Sequence, residues 1–142
     1  MNVKVHYLSR GGNTKKIAEA ISQAIGQMAE AIPPAYPMEN VKLLFLGGGI
    51  YGGKLDSKLS YYIGTLNTKM VKNVVLFSTS GSPQGPANKL MKEQLEAKGI
   101  KVLEKSFCCP GKFFLFFNIG RPNSADIKKA QEFAKEIMAE NQ

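Results

Sequence analysis

Histidine occurs once in the 142 residues, at His6, and cysteine twice, side by side at Cys108 and Cys109. One imidazole and one adjacent thiol pair supply no ligand set at the usual spacing, so a metal site is not expected. A disulfide framework is not expected either, and a reducing, cytoplasmic location is the default. The pair lacks the Cys-x-x-Cys spacing of thiol redox motifs, and one buried plus one half-exposed thiol is the plain reading. His6 lies inside an apolar run and reads as structural. No stretch approaches the run of about 18 apolar residues that a membrane helix needs. The first residues alternate charge with Val and Tyr rather than building an export signal. Membrane insertion is therefore not expected.

Acidic residues are also scarce. Eleven Asp and Glu stand against nineteen Lys and Arg, for a net charge of +8. Such an excess can serve nucleic acid, an anionic surface or an acidic protein. The lysines are scattered (Lys15, Lys54, Lys72, Lys89, Lys101, Lys112, Lys128), with no basic stripe interleaved with aromatics. Nucleic acid is not expected. The charge is read as solubility plus attraction to acidic partners. With 44% hydrophobic and 21% charged residues, the chain has a globular composition, and residues 1–142 are read as one domain.

What is present is an alternation of strand and helix patterns. Val3 to Leu8 reads as a strand, and Thr14 to about Ala29 as a helix with Ile17, Ile21, Ala24 and Met28 on one face. Val41 to Leu46 is a second strong strand, ending in Gly47, Gly48 and Gly49. Leu55, Leu59, Tyr62, Ile63 and Leu66 mark a helix. Val71 to Ser78 is a strand whose run Val74-Val75-Leu76-Phe77 has no polar alternation, as expected in a parallel sheet covered on both faces. A helix over Ala87 to Lys98 stops at Gly99. Ile100 to about Phe107 is a strand, and Ala125 to Glu140 a helix capped by Asn123 or Ser124. Three prolines within residues 30–40 leave room for a short edge strand at best. Right-handed crossovers then imply an open, doubly wound α/β sheet.

Three loops carry the chemistry. Ser9-Arg10-Gly11-Gly12-Asn13-Thr14 joins the first strand to the first helix, where backbone N–H groups and the helix N-terminus suit a phosphate. Gly47-Gly48-Gly49-Ile50-Tyr51-Gly52-Gly53 follows the second strong strand. Thr79-Ser80-Gly81-Ser82-Pro83-Gln84-Gly85 follows the third. In a doubly wound sheet all three fall outside the carboxyl ends of the strands, where ligands bind. A helix terminus that binds nothing, with Asn13 or Thr14 capping, is the blander account of the first loop. The coincidence of three glycine- and hydroxyl-rich loops weighs against it.

These loops resemble those of the flavodoxin family, and the resemblance runs over nearly the whole chain. The family's phosphate loop reads hydroxyl, any residue, Thr, Gly, Asn, Thr. Ser9, Gly12, Asn13 and Thr14 match it, while Gly11 stands where the family has Thr. The resemblance implies that one charge-assisted hydroxyl contact is missing, a loss of about 1.5–3 kcal/mol if nothing replaces it. Arg10 is the residue that could replace it by reaching back to the phosphate. The resemblance implies a five-stranded parallel sheet of order 2-1-3-4-5, with a short or degenerate second strand at the edge. It implies FMN as cofactor, held by Ser9, Arg10, Gly11, Gly12, Asn13, Thr14, Gly49, Ile50, Tyr51, Gly52, Thr79, Ser80, Gly81, Ser82 and Gly85, with Tyr51 stacking on the isoalloxazine ring.

The third loop lacks the second stacking tyrosine that many flavodoxins carry. Either the outer flavin face is open, or Phe113, Phe114, Phe116 and Phe117 cover it. The stretch around Lys112, followed by Gly120-Arg121-Pro122-Asn123, is similar to a subgroup of flavodoxin-like proteins.

Two functions from this resemblance are carried forward. One is an FMN-binding electron-transfer protein shuttling electrons between redox protein partners, which the positive charge implies are acidic. The other is a small FMN-dependent reductase acting on a quinone, a tetrapyrrole or a similar conjugated acceptor. A flavin-free phosphate- or nucleotide-binding module is the third reading. No catalytic acid or base stands out near the loops.

Overall fold

Alternation within the first strand decides which way the sheet faces. The computed structural model describes residues 2–80, 85–110 and 121–141. In β1 (Val3–Tyr7), Val3, Val5 and Tyr7 point into one apolar cluster, and His6 points the other way. The long central strand β3 (Val41–Tyr51) does the same with an unbroken apolar run. Leu43 and Phe45 join one cluster, Leu44 and Leu46 the other. Both faces of the sheet are therefore covered, and the run carries no polar alternation.

Helices α1 (Asn13–Ile25) and α4 (Ser124–Glu140) cover the first face, with Ile17, Ile21, Ala130, Ala134 and Ile137 buried there. Helices α2 (Ser57–Thr65) and α3 (Pro86–Ala97) cover the second through Leu59, Ile63, Met91 and Leu95. The remaining strands are β2 (Ala29–Ala31), β4 (Lys54–Leu55), β5 (Val71–Ser80) and β6 (Lys101–Pro110). The sheet order is β2-β1-β3-β5-β6, with every neighbouring pair parallel. Leaving out the two-residue β4, which pairs antiparallel with the end of β3, this is the expected order 2-1-3-4-5. The short edge strand is there too, three residues long.

Several boundaries differ from the sequence reading. The first helix ends at Ile25 rather than near Ala29, because Gly26 takes a left-handed φ of 71° and its N–H caps Ser22. Met28 is consequently not on a buried face; it is 85% exposed. Gly47, Gly48 and Gly49 are not a loop but the continuation of β3. A Cβ on Gly47 would lie 2.0 Å from the Phe77 ring, and one on Gly48 would lie 2.4 Å from Leu59. Side chains from the neighbouring strand and helix fill the space where those Cβ atoms would be. The third and fourth long strands also run further, to Ser80 and Pro110. The chain after β3 turns tightly at Gly52 and Gly53 (φ 59° and 78°), two left-handed residues of the kind that close a two-residue hairpin into β4.

The crossover from β2 to β3 contains no helix. Its proline-bearing segment instead faces α2 across an apolar groove of about 850 Å³, lined by Ile32, Pro33, Met38, Tyr61, Tyr62 and Met70 among others.

Candidate functional site at the carboxyl rim of the sheet

The order of the strands reverses at β1 and β3, so their carboxyl ends open a crevice. The first loop enters it. Leu8 donates its N–H to Gly47 O at 3.0 Å, tying the end of β1 to β3. Ser9 Oγ then accepts the N–H of Gly12 at 3.0 Å, which folds the loop into a tight turn. Gly12 is the N-cap of α1 with φ 91°, a conformation that strains any residue with a side chain. It has no side chain to cap the helix, and no side-chain cap bond is made at this N-cap. The capping expected of Asn13 or Thr14 is not found: both lie inside α1, and Gly12 is the N-cap.

Thr14 faces inward. Its hydroxyl is bonded to that of Thr79 at 2.8 Å, in a buried contact. That bond fastens the first loop to the third across 65 positions of sequence. In β5, Thr79 lies in register with Gly49 of β3, and Ser80 follows as the last strand residue. A Cβ on Gly49 would stand 3.3 Å from the Thr79 carbonyl oxygen and 3.2 Å from the Tyr51 hydroxyl. The same hydroxyl accepts the N–H of Arg10 at 3.4 Å. Elements of all three loops thus meet at one rim: Arg10 from the first, Gly49 and Tyr51 from the second, Thr79 from the third. Ile50 pairs with Leu55 in the hairpin, and Gly52 makes its turn. Gly85 is the left-handed N-cap of α3, φ 64°, close to Cys108 and Asn88. Gly81 and Ser82 lie outside the described residues, as do Lys112, Phe113, Phe114, Phe116 and Phe117.

Gly11 differs from its neighbour. It has no positive φ, and a Cβ built on it would meet nothing within 4 Å. Packing does not demand glycine here, and a side chain would project into open space.

Arg10 is placed otherwise than expected. Its guanidinium carbon sits 3.9 Å from the centroid of the Tyr51 ring, and its Nε donates to Asp56 Oδ2 at 2.8 Å. Asp56 is the N-cap of α2, accepting the Lys58 N–H at 2.8 Å with its other oxygen. That backbone bond, and then the bond from Arg10, hold its carboxyl below the usual carboxylate range. Asp56 was absent from the sequence-derived site. The available signal was an Asp directly before a Ser at the start of a helical pattern, a cap signature; its approach to Arg10, 46 residues away, was not readable.

The groups read as structural behave so. His6 is 1% exposed, and its Nδ1 shares a 2.7 Å hydrogen bond with the Tyr62 hydroxyl. Burial lowers the imidazole to about 4 and raises the phenol. Cys109 is buried and Cys108 half-buried. Burial pushes the Cys109 thiol up to about 12, which leaves it protonated at neutral pH. Among the described residues no helix is long and apolar enough to cross a membrane.

Known proteins share this fold. The family model described as Flavodoxin domain matches residues 4–115. An uncharacterized protein of Methanocaldococcus jannaschii is 35% identical over 137 aligned positions, covering 89% of this chain and 90% of that one. A solved flavodoxin from the domain Archaea superposes with a TM-score of 0.78 at 19% identity, over 99% of this chain and 98% of that one. An NAD(P)H:quinone oxidoreductase from Methanothermobacter marburgensis superposes at 0.68 with 11% identity, over 96% of this chain and 98% of that one.

Proposed function

The chain belongs to the flavodoxin family, and we propose that it binds FMN at the carboxyl rim of the sheet and carries electrons between protein partners. The observation that carries this reading is the convergence of the three loops, joined by the Thr14–Thr79 and Arg10–Tyr51 contacts. The first loop offers the phosphate a glycine N-cap, a helix N-terminus without a side-chain cap, and open space beside Gly11. Ser9 shapes that turn, and the Thr79 hydroxyl holds it against the third loop. Tyr51 offers its ring to the isoalloxazine, and the neighbouring glycines let backbone approach the ring edge. FMN supplies the electron-accepting chemistry; the chain binds, orients and sets the local charge. With a net charge of +8, the partner is an acidic protein.

A second reading makes the same domain a reductase of a small conjugated acceptor. It is favoured by the third loop, residues 79–85, which holds no aromatic side chain to cover the flavin. Steady-state kinetics separate the two. An electron carrier consumes NAD(P)H only when a redox protein is added, whereas a reductase turns over NAD(P)H with a quinone alone. Quenching of FMN fluorescence on adding the protein tests the reading common to both. A titration without quenching overturns it.

A further inference from the structure

Arg10 sits at the second position of the phosphate-type loop, yet its guanidinium lies over an aromatic ring and against a carboxylate. The ring is that of Tyr51, the residue offered to the isoalloxazine. Resting on the FMN reading above, we propose that Arg10 serves the flavin ring rather than the phosphate. It backs the Tyr51 ring as a cationic layer, held by Asp56, and so favours the reduced, negatively charged flavin.

A tyrosine ring has two faces, and Arg10 covers one at 3.9 Å. In this proposal the isoalloxazine would take the other face. The guanidinium is not free to swing to the phosphate turn without giving up a charge-assisted bond of 2.8 Å. Its anchor is firm, because Asp56 is itself fixed by capping α2 through the Lys58 N–H. The Arg10 backbone N–H adds a contact to the Tyr51 hydroxyl, so the same residue holds the ring by edge and by face.

Two-electron reduction of the flavin with uptake of one proton leaves one negative charge on the ring. A cation one ring-thickness behind it favours that form over the neutral oxidised one. Asp56 opposes the effect, since its carboxylate is bonded to the guanidinium that lies over the ring. Arg10 is half-exposed, with 55% of its side chain accessible, so water and salt screen it. The two residues therefore form a balance with opposite signs, not a single positive charge.

The test measures affinity for FMN and for riboflavin, each oxidised and each reduced with dithionite, which supplies the electrons. In Arg10→Met the ratio of reduced to oxidised affinity falls about three- to tenfold, equally for both flavins. A tenfold fall corresponds to a two-electron midpoint about 30 mV more negative. Asp56→Asn, which keeps a good N-cap and so keeps α2, moves the ratio upward. Arg10→Lys restores part of the loss, since it returns the charge without the planar stack.

A loss in Arg10→Met that appears with FMN and not with riboflavin assigns Arg10 to the phosphate and overturns the inference. An unchanged ratio in both variants overturns it as well. If the unaltered protein binds neither flavin, the FMN reading itself falls, and the inference with it.

Discussion

At the scale of single residues, the site is defined as much by where side chains are missing as by those present. Gly12 has to be glycine because its φ is 91°; Gly11 does not, because a Cβ there meets nothing. Gly11→Thr should therefore fold normally and restore the hydroxyl that the family loop carries. About 1.5–3 kcal/mol for a charge-assisted bond corresponds to roughly ten- to a hundredfold tighter FMN binding. Riboflavin, lacking the phosphate, should be unaffected. Calorimetric titration of the variant with the two flavins checks this, and equal tightening of both would contradict it.

His6 yields a prediction of another kind. Its imidazole is lowered to about 4 in the fold by burial, against 6.5 when exposed. Between those values the unfolded chain binds more protons, so the contribution to stability is full above pH 6.5 and is lost as pH falls toward 4. The size is about 3 kcal/mol. Urea unfolding at pH 7 and pH 4.5 should show this loss, and His6→Gln should flatten it. His6 was readable as structural from its place in an apolar strand. Its partner Tyr62, 56 residues away, was not, because only the packing of α2 on β1 brings them together.

Elements were legible where one signal dominated. Every predicted helix and long strand exists, and α4 carries at Asn123 one of the two caps read from sequence, with Asp126 completing a capping box. Misreadings arose where glycine has two meanings. Gly26 ends α1 one turn before the apolar periodicity runs out, and left-handed capping outweighed the pattern. Gly47 and Gly48 looked like loop chemistry, but they keep strand geometry because Phe77 and Leu59 occupy their Cβ space. Gly47→Ala should thus cost about 1–3 kcal/mol or more, since the Phe77 ring is fully buried and has nowhere to retreat. Thermal unfolding measures it. Partial recovery in Gly47→Ala with Phe77→Leu is the expected signature, and an unchanged midpoint in Gly47→Ala alone would contradict the close approach.

On the scale of the whole molecule, the sheet order was foreseen through family resemblance and the crossover rule, not through composition. The hairpin strand β4 was not foreseen, and neither was its consequence. By turning the chain back at Gly52 and Gly53, the hairpin delivers Asp56 to Arg10 and fixes α2 beside the crevice. The missing crossover helix, by contrast, follows directly from the prolines of residues 30–40. It leaves an apolar groove lined by no glycine, which the first turn of α2 borders through Ser57 and Lys58.

These two places make the central claim separable in one measurement. Amide chemical shifts recorded during FMN titration of the isotope-labelled protein report where the ligand sits. The account predicts the largest changes together in residues 9–14, 49–52 and 79–85. Changes confined to residues 32–38 and α2, or spread over one loop without the other two, would contradict it.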